Sequence, residues 1–389
     1  MTEKRIYLDH SATTVPSTGV AQSMLDALTV QWGNPSSVHC CGLEAQKLLR
    51  NARLSVLNAL GIKNPTEDML IFTGSGTEAD NLAVTGTVTA KHRAFTPRII
   101  ITDSEHPAVS EPVLRLEQNG CEVVRLSTKC GKLNLEELRA ALTENTVLVS
   151  IMAVNNETGA VYDIGAAFGL AKQCVPDCIT HTDAVQAFCK IPVQPEKIKA
   201  DLVTMSGHKI NGPKGIGALY VNPALLRKKQ LVPILSGGGQ EHGFRSGTEN
   251  MPGIAGFAEA VREKTAAGRA PYDRLLELRT HLLSILPPEV HINTPADAYF
   301  PGIVSLTLPN IKSEVMLRYL SAENICVSSG SACSSHHKTA SRTLLAFGLT
   351  EREADCTIRV SMGAENTEEE LVRFAAVLAD GISHLARIR

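Results

Sequence analysis

No block of like charge occurs in this 389-residue sequence, and its 38 basic and 40 acidic residues leave a net charge of −2. That balance gives no electrostatic reason to expect nucleic acid or an anionic membrane as the main partner. No uninterrupted apolar stretch is long enough to span a bilayer, and Met1-Thr2-Glu3-Lys4-Arg5 runs into a strand-like Ile6-Tyr7-Leu8 without the apolar core of a secretory signal. A soluble, cytoplasmic protein with a small ligand is therefore expected. Cysteine is not scarce, at ten residues, but without a secretory signal these are expected as reduced thiols rather than a disulfide framework. Cys40-Cys41 and Cys174/Cys178 lack a second matching pair, so no metal site is expected. Internal repeats and low-complexity linkers are also missing.

What is present is a chain long enough for two domains, with an apolar fraction of 43% that allows each a core. Helical periodicity in Ala45, Leu48, Leu49, Ala52, Val56 and Leu60 alternates with buried-strand runs at Met69-Leu70-Ile71-Phe72, Arg98-Ile99-Ile100-Ile101 and Val147-Leu148-Val149-Ser150-Ile151. This is the α/β pattern, with a mainly parallel central sheet flanked by helices. The composition changes near Glu259 to Pro271, which predicts a large domain over 15–258 and a smaller α+β domain made of 259–389 with 1–14. Within the smaller domain, Ile303-Val304-Ser305-Leu306 reads as a strand, Ser313 to Leu320 as a helix, and Thr367 with Glu370 as the capping box of a closing helix.

Each strand of the large domain ends in a polar or glycine-rich turn, and ligands of open parallel sheets bind beyond the carboxyl ends of strands. Thr73-Gly74-Ser75-Gly76-Thr77-Glu78 precedes a helix and offers free amides, a hydroxyl and glycines to an anion, although alone such a turn is equally a plain connector. It is neither a Walker loop nor a dinucleotide fingerprint, since Gly-Lys-Ser/Thr and the third glycine are missing. His106, stiffened by Pro107, could stack on a flat ring and shuttle a proton, or be an ordinary loop histidine. Asp183 follows Cys178-Ile179-Thr180-His181-Thr182; if buried it needs a cation such as a protonated ring nitrogen, with helix capping as the competing reading. Gln186 could reach the other side of the same ring. Lys209 closes Ser206-Gly207-His208-Lys209 after a short strand-like run, where a Schiff-base lysine would sit.

In this order the elements resemble a fold-type-I pyridoxal-phosphate enzyme, and the chain is similar to cysteine desulfurases of the NifS/IscS kind within the class V aminotransferase group. The resemblance spans essentially the whole chain. It is carried by Tyr7-Leu8-Asp9-His10-Ser11-Ala12-Thr13-Thr14, Gly33-Asn34-Pro35-Ser36-Ser37-Val38-His39, Thr77-Glu78-Ala79-Asp80-Asn81, Glu105-His106, Val154-Asn155-Asn156-Glu157, Ser206-Gly207-His208-Lys209, Arg245-Ser246-Gly247-Thr248 and Ser328-Ser329-Gly330-Ser331-Ala332-Cys333. The likeness implies pyridoxal 5'-phosphate as cofactor, joined to Lys209, with Asp183 on the ring nitrogen, Asn155 and Gln186 on the ring oxygen and His106 on the ring face. Gly76, Thr77, Ser206 and His208 would hold the phosphate. Thr248 would reach the phosphate of a partner subunit, which implies a homodimer, and Arg359 would grip the substrate carboxylate, with Asn155 beside the substrate.

Cys333 lies among small residues in a segment that resembles the group I catalytic loop, which implies conversion of L-cysteine to L-alanine with sulfur held on Cys333 as a persulfide for an acceptor protein or small thiol. His106 would act there as proton shuttle. A selenocysteine lyase or aminotransferase of the same fold, in which Cys333 is dispensable, and a non-catalytic sulfur-relay partner are the competing readings. His336-His337 are assigned no role, solvated loop histidines being the ordinary case. The housekeeping iron–sulfur branch of the resembled family carries a tail past its last helix that docks a scaffold, whereas this sequence stops at Arg389; the acceptor and its pathway stay open.

Overall fold

A computed structural model describes residues 5–91, 96–330 and 340–387. The chain starts with β1 (Ile6–Tyr7) and then contributes β2 (Leu70–Thr73), β3 (Arg98–Thr102), β4 (Glu122–Leu126), β5 (Thr146–Ser150), β6 (Ile179–Asp183), β7 (Leu202–Ser206) and β8 (Gly217–Val221). These last seven form one sheet in the order β2-β8-β7-β6-β5-β3-β4, parallel throughout except β8, which runs antiparallel to both neighbours. Reversal of β8 leaves β2 and β7 pointing the same way. The carboxyl ends of β2, β3, β5, β6 and β7 therefore share one edge.

Helices α1 (Thr18–Thr29), α2 (Cys40–Ala59), α3 (Gly76–Ala90) and α4 (Pro107–Gln118) begin the layers around this sheet. In α2 the buried positions Ala45, Leu49, Ala52 and Val56 fall on one face, and the His39 ring caps its start by accepting from the Gly42 amide. The α3 helix is instead covered on most sides, and its buried residues are mainly small: Ala79, Ala83, Val84, Gly86 and Val88. Small side chains let it lie close on β7 and β8.

Beyond the large sheet, β9 (His291–Ile292), β10 (Ile303–Thr307), β12 (Ser328–Ser329) and β13 (Thr357–Ser361) make an antiparallel sheet in the order β12-β13-β10-β9. The remaining strand, β11 (Ile325–Cys326), pairs in parallel with β1, so the amino terminus joins this second unit. Helices Ser313–Ala322 and Glu368–His384 pack on it, and Thr367 and Glu370 form the reciprocal capping box at the start of the latter.

The domain boundary expected at 258/259 falls inside a continuous helix, Met251–Ala267, which packs against α1 and α2. Its charged, alanine-rich end faces water at Arg262 and Thr265 to Ala267, while Ile254, Phe257, Ala260 and Val261 are buried. This helix ends at Gly268, whose φ of +59° suits glycine, just before the next helix, Ala270–Ile285. Phe257 also forms edge-to-face pairs with Phe72 and Phe188 at 6.5 and 6.2 Å, beneath the Gly207–Lys209 turn.

Gly217 at the head of β8 lies directly under the turn that follows β2: a Cβ there would fall 2.4 Å from the Ser75 carbonyl carbon. Gly217→Ala is therefore expected to cost about 1–3 kcal/mol as an overpacked site, read as a lowered urea midpoint. Gly169→Ala, within the Ile164–Cys174 helix and 3.7 Å from only the mobile Lys199 Nζ, is expected to be neutral or stabilising.

Candidate active site

At the shared carboxyl edge the turns enclose a cavity of about 210 Å³ whose wall includes Thr77, His106, Asp183, Gln186, Lys209 and Arg359. Gly76, Ser206 and His208 line it too. The first turn of α3 makes one end. Ser75 caps this helix by accepting from the Glu78 amide at 3.1 Å, and Glu78 Oε2 accepts from the Gly74 amide at 2.9 Å, which leaves the Gly76 and Thr77 amides without an intrahelical acceptor. A Cβ on Gly76 would approach Val185 Cγ2 to 2.9 Å, so this floor requires glycine. Amides, helix dipole and close backbone form a cradle for an anion.

Asp183 sits at the end of β6 with the Val185 amide donating to Oδ1 at 2.9 Å. Burial pushes its carboxyl up to about 6. Behind it, Asp80 lies 3.5 Å from His181 Nε2 and is raised well above the usual carboxylate range by burial and then by Asp183. His181 itself is pushed down to about 3 by burial, so it supplies no cation to either acid. Two buried acids thus face the site with no fixed positive partner beyond Lys209 among the described residues, and a protonated heterocycle would keep Asp183 ionised.

His106 is the cap of α4, its Nδ1 accepting from the Ala108 amide at 3.1 Å. Burial and then Lys209 lower its pKa to about 4, so near neutrality the ring is uncharged and carries its proton on Nε2. Lys209 Nζ donates to the carbonyl oxygens of Ser11 and Ala12. His208 meets Thr13 Oγ1 at 3.3 Å and is lowered to about 4 by burial, then by Lys209. An anion cradle, a buried acid, a neutral histidine and an amine fit a flat ring with a protonated nitrogen and an anionic arm.

Arg359 comes from β13 of the second unit and is 2% exposed. One terminal nitrogen donates to the Asn156 and Gly330 carbonyls and the other to Asp9 Oδ1 at 2.9 Å, while Nε has no acceptor among the described residues. Asp9 is held in turn by the Ser328 hydroxyl. Arg359 is therefore buried, oriented and still has a donor to offer.

Among the described residues, Asn155 and Thr248 are the expected ones that the cavity wall leaves out. Asn155 Oδ1 accepts from the Glu157 and Thr158 amides and the Thr158 hydroxyl, and its Nδ2 donates to the Ser104 carbonyl at 3.3 Å. These bonds shape its own turn. Thr248 stands on an exposed loop outside the cavity wall. Cys333, His336 and His337 lie outside the described residues.

Asp9, Ser11 and Ala12 lie in the Tyr7 to Thr14 motif but carry no role of their own in the expectations from sequence. Their signal was the motif itself. Its meaning appears only when the amino terminus is seen to cross Lys209.

The model of the class-V aminotransferase family matches residues 6–374 of this chain. A cysteine desulfurase of Nostoc sp. is 38% identical over 384 residues, which cover 98% of this chain and 93% of that one. Cysteine desulfurase IscS of Methanosarcina thermophila is 36% identical over 385 residues with the same coverage of both. Among solved structures, a NifS-like protein superposes with a TM-score of 0.90 at 34% identity, covering 98% of this chain and all of that one. SspA in complex with cysteine follows at TM-score 0.80 and 31% identity, covering 94% and 100%.

A raised carboxyl pKa favours the protonated form in the fold, so what Asp183 contributes to stability is present at low pH and lost as pH rises from its ordinary value of 3.8 through about 6. In protein stripped of bound small molecules, Asp183→Asn should raise the urea midpoint at pH 7.5, with the gain shrinking toward pH 4. A midpoint that falls at pH 7.5 would contradict the buried, uncompensated acid.

Proposed function

The chain belongs to the class-V aminotransferase family, and from that premise we propose that it is a cysteine desulfurase, converting L-cysteine to L-alanine and passing the sulfur through Cys333 to an acceptor. The observation that carries this reading is the placement of Lys209, Asp183 and Arg359 around one small cavity in a chain similar along its length to cysteine desulfurases. The cofactor that suits the cavity is pyridoxal 5'-phosphate, which when bound supplies an electron sink for charge developing at the substrate α-carbon.

The chain's own residues have separable tasks. Gly76 and Thr77, with Ser206 and His208, hold the phosphate, and Asp183 keeps the ring nitrogen protonated. Gln186 addresses the ring oxygen and His106 covers the ring face. Arg359 orients L-cysteine by its carboxylate, using the rigid donors that Asp9 holds in place. Lys209 Nζ takes the proton from the substrate α-carbon, and His106 Nε2 exchanges a proton at the substrate or the departing group.

Cys333, as thiolate, attacks the substrate sulfur; the new S–S bond forms as the substrate's carbon–sulfur bond breaks. The three-carbon remainder takes up the proton in place of sulfur. Thiol plus L-cysteine thus becomes persulfide plus L-alanine, with no outside oxidant or reductant. The exposed position of Thr248 supports a homodimer in which this residue completes the partner's phosphate site. A cytoplasmic enzyme supplying an acceptor protein or small thiol, in iron–sulfur cluster assembly or thiolation, completes the proposal.

Cys333→Ala should bind the cofactor as the wild type does, with an unchanged visible band, yet release no sulfide from L-cysteine in the presence of a thiol reductant. Undiminished sulfide release would sink the reading.

A further inference from the structure

Lys190 stands between the small cavity and a larger one. Its Nζ donates to Gln186 Oε1 at 2.8 Å and lies 5.6 Å from the centroid of the Phe300 ring. Gln186 uses Nε2 to donate to the Ser11 carbonyl at 3.0 Å, the same oxygen that Lys209 Nζ reaches. On its other side Lys190 lines a cavity of about 580 Å³ that shares Ser11 and Lys209 with the first. Among the described residues no carboxylate lies within ion-pair distance of Lys190; Glu365, also on that cavity, is 57% exposed and turned to His10.

An amide side chain has one acceptor oxygen and two N–H donors, and its two ends exchange by a simple flip. An ammonium only donates. Lys190 as an ammonium and the Ser11 carbonyl, which only accepts, together admit one orientation of Gln186, with oxygen toward Lys190 and nitrogen toward Ser11. The second N–H of that nitrogen is left for the cavity. A methionine-like side chain would fill the space beside Phe300 without the cost of burying a charge, so packing alone does not account for lysine here.

We propose that Lys190 is a positioning residue for this reaction: together with the Ser11 carbonyl it holds Gln186 as a donor toward the ring oxygen of the cofactor, and in its protonated form it brings positive charge to that side of the site. The inference rests on the desulfurase reading and extends it to a residue outside the small cavity. The groups that act on Lys190 are Lys209 from the turn after β7, Lys264 from the Met251–Ala267 helix, and the adjacent Cys189; Lys190 in turn acts on His10 and His208. Burial first, then Lys209 and Lys264, hold its amine down near 7, so its positive charge is present below that pH and fades above it.

The test uses full-length protein loaded with pyridoxal 5'-phosphate. Lys190→Met should raise the cofactor dissociation constant about tenfold, the worth of one lost charge-assisted hydrogen bond. It should also move the pH midpoint of the cofactor's visible band upward, because the ring oxygen loses its nearby positive charge, and lower kcat with little change in KM. Lys190→Arg, which still donates, should recover part of each change. In a Gln186→Leu background Lys190→Met should add nothing, since the effect passes through the amide.

If folded Lys190→Met, checked by circular dichroism, keeps the wild-type band midpoint and cofactor affinity, the proposal fails. It fails equally if the two substitutions are additive. Should Lys190→Met not fold, the band midpoint of Lys190→Arg against that of Gln186→Leu decides: near-wild-type behaviour in the first and a shift in the second supports the lock, and no shift in the second overturns it. Wild-type protein with neither a visible band nor sulfide release would instead overturn the desulfurase reading itself.

Discussion

The run from Leu8 to Thr14 joins the two units and sets the site between them. On one side it is stitched to the second unit: the Leu8 amide to the Cys326 carbonyl, the Ser361 amide to the Leu8 carbonyl and the His10 amide to the Ser361 carbonyl, at 2.8–3.0 Å. On the other side the Thr14 amide reaches the His208 carbonyl at 2.9 Å, and Thr14 Oγ1 accepts from the Asn211 amide at 2.7 Å. Between these anchors the Ser11 and Ala12 carbonyls receive Lys209, and Asp9 receives Arg359. One short segment, turned at His10–Ala12, thus fixes an amine from the large sheet relative to a guanidinium from the small one.

The site holds more buried ionisable groups than stability would favour. Asp183, Asp80 and Glu105 are all pushed up by burial, Glu105 to about 8, and His106, His181 and His208 are all pushed down. Each shift is a preference of the fold for the neutral form, and a charged ligand changes that preference. Such local cost at the site, offset by apolar packing elsewhere, is what a binding cavity for a protonated ring with an anionic arm requires.

Stiffness around the cavity comes from ion pairs placed out of water. Arg53 and Glu241 form a bidentate pair at 2.6 and 2.7 Å, with the Phe72 amide also donating to Glu241. That pair holds a turn in which Glu241 and His242 both have positive φ, and a few residues later Arg245 meets Glu78 at the start of α3 at 2.9 Å. The loop bearing Thr248 is consequently tied both to the edge strand β2 and to the anion cradle. Breaking one partner of the buried pair would leave a charge without water, the costly direction of such a change.

Much of this was legible in the residues. Strand ends could be read because apolar runs stop at polar turns, and the chemistry of those turns is carried by adjacent residues: glycines and a hydroxyl at 74–77, an acid at 183, an amine at 209. Reversal of β8 was not legible, since a fully buried strand has the same pattern in either direction, and the helix through residue 259 was masked by its own solvated face. Asn155 is expected as a ring partner because its neighbours match a motif; what the residues beside it do not reveal is that its side-chain oxygen also serves its own turn, accepting from the Glu157 and Thr158 amides. The sequence by itself determined which reactive groups exist and in what order they occur, because each depends on its immediate backbone. Only the tertiary structure decided which of them meet, Gln186 with Ser11 across 175 positions and Arg359 with Asp9 across 350, because such contacts are set by the packing of two units and leave no mark on the residues beside them.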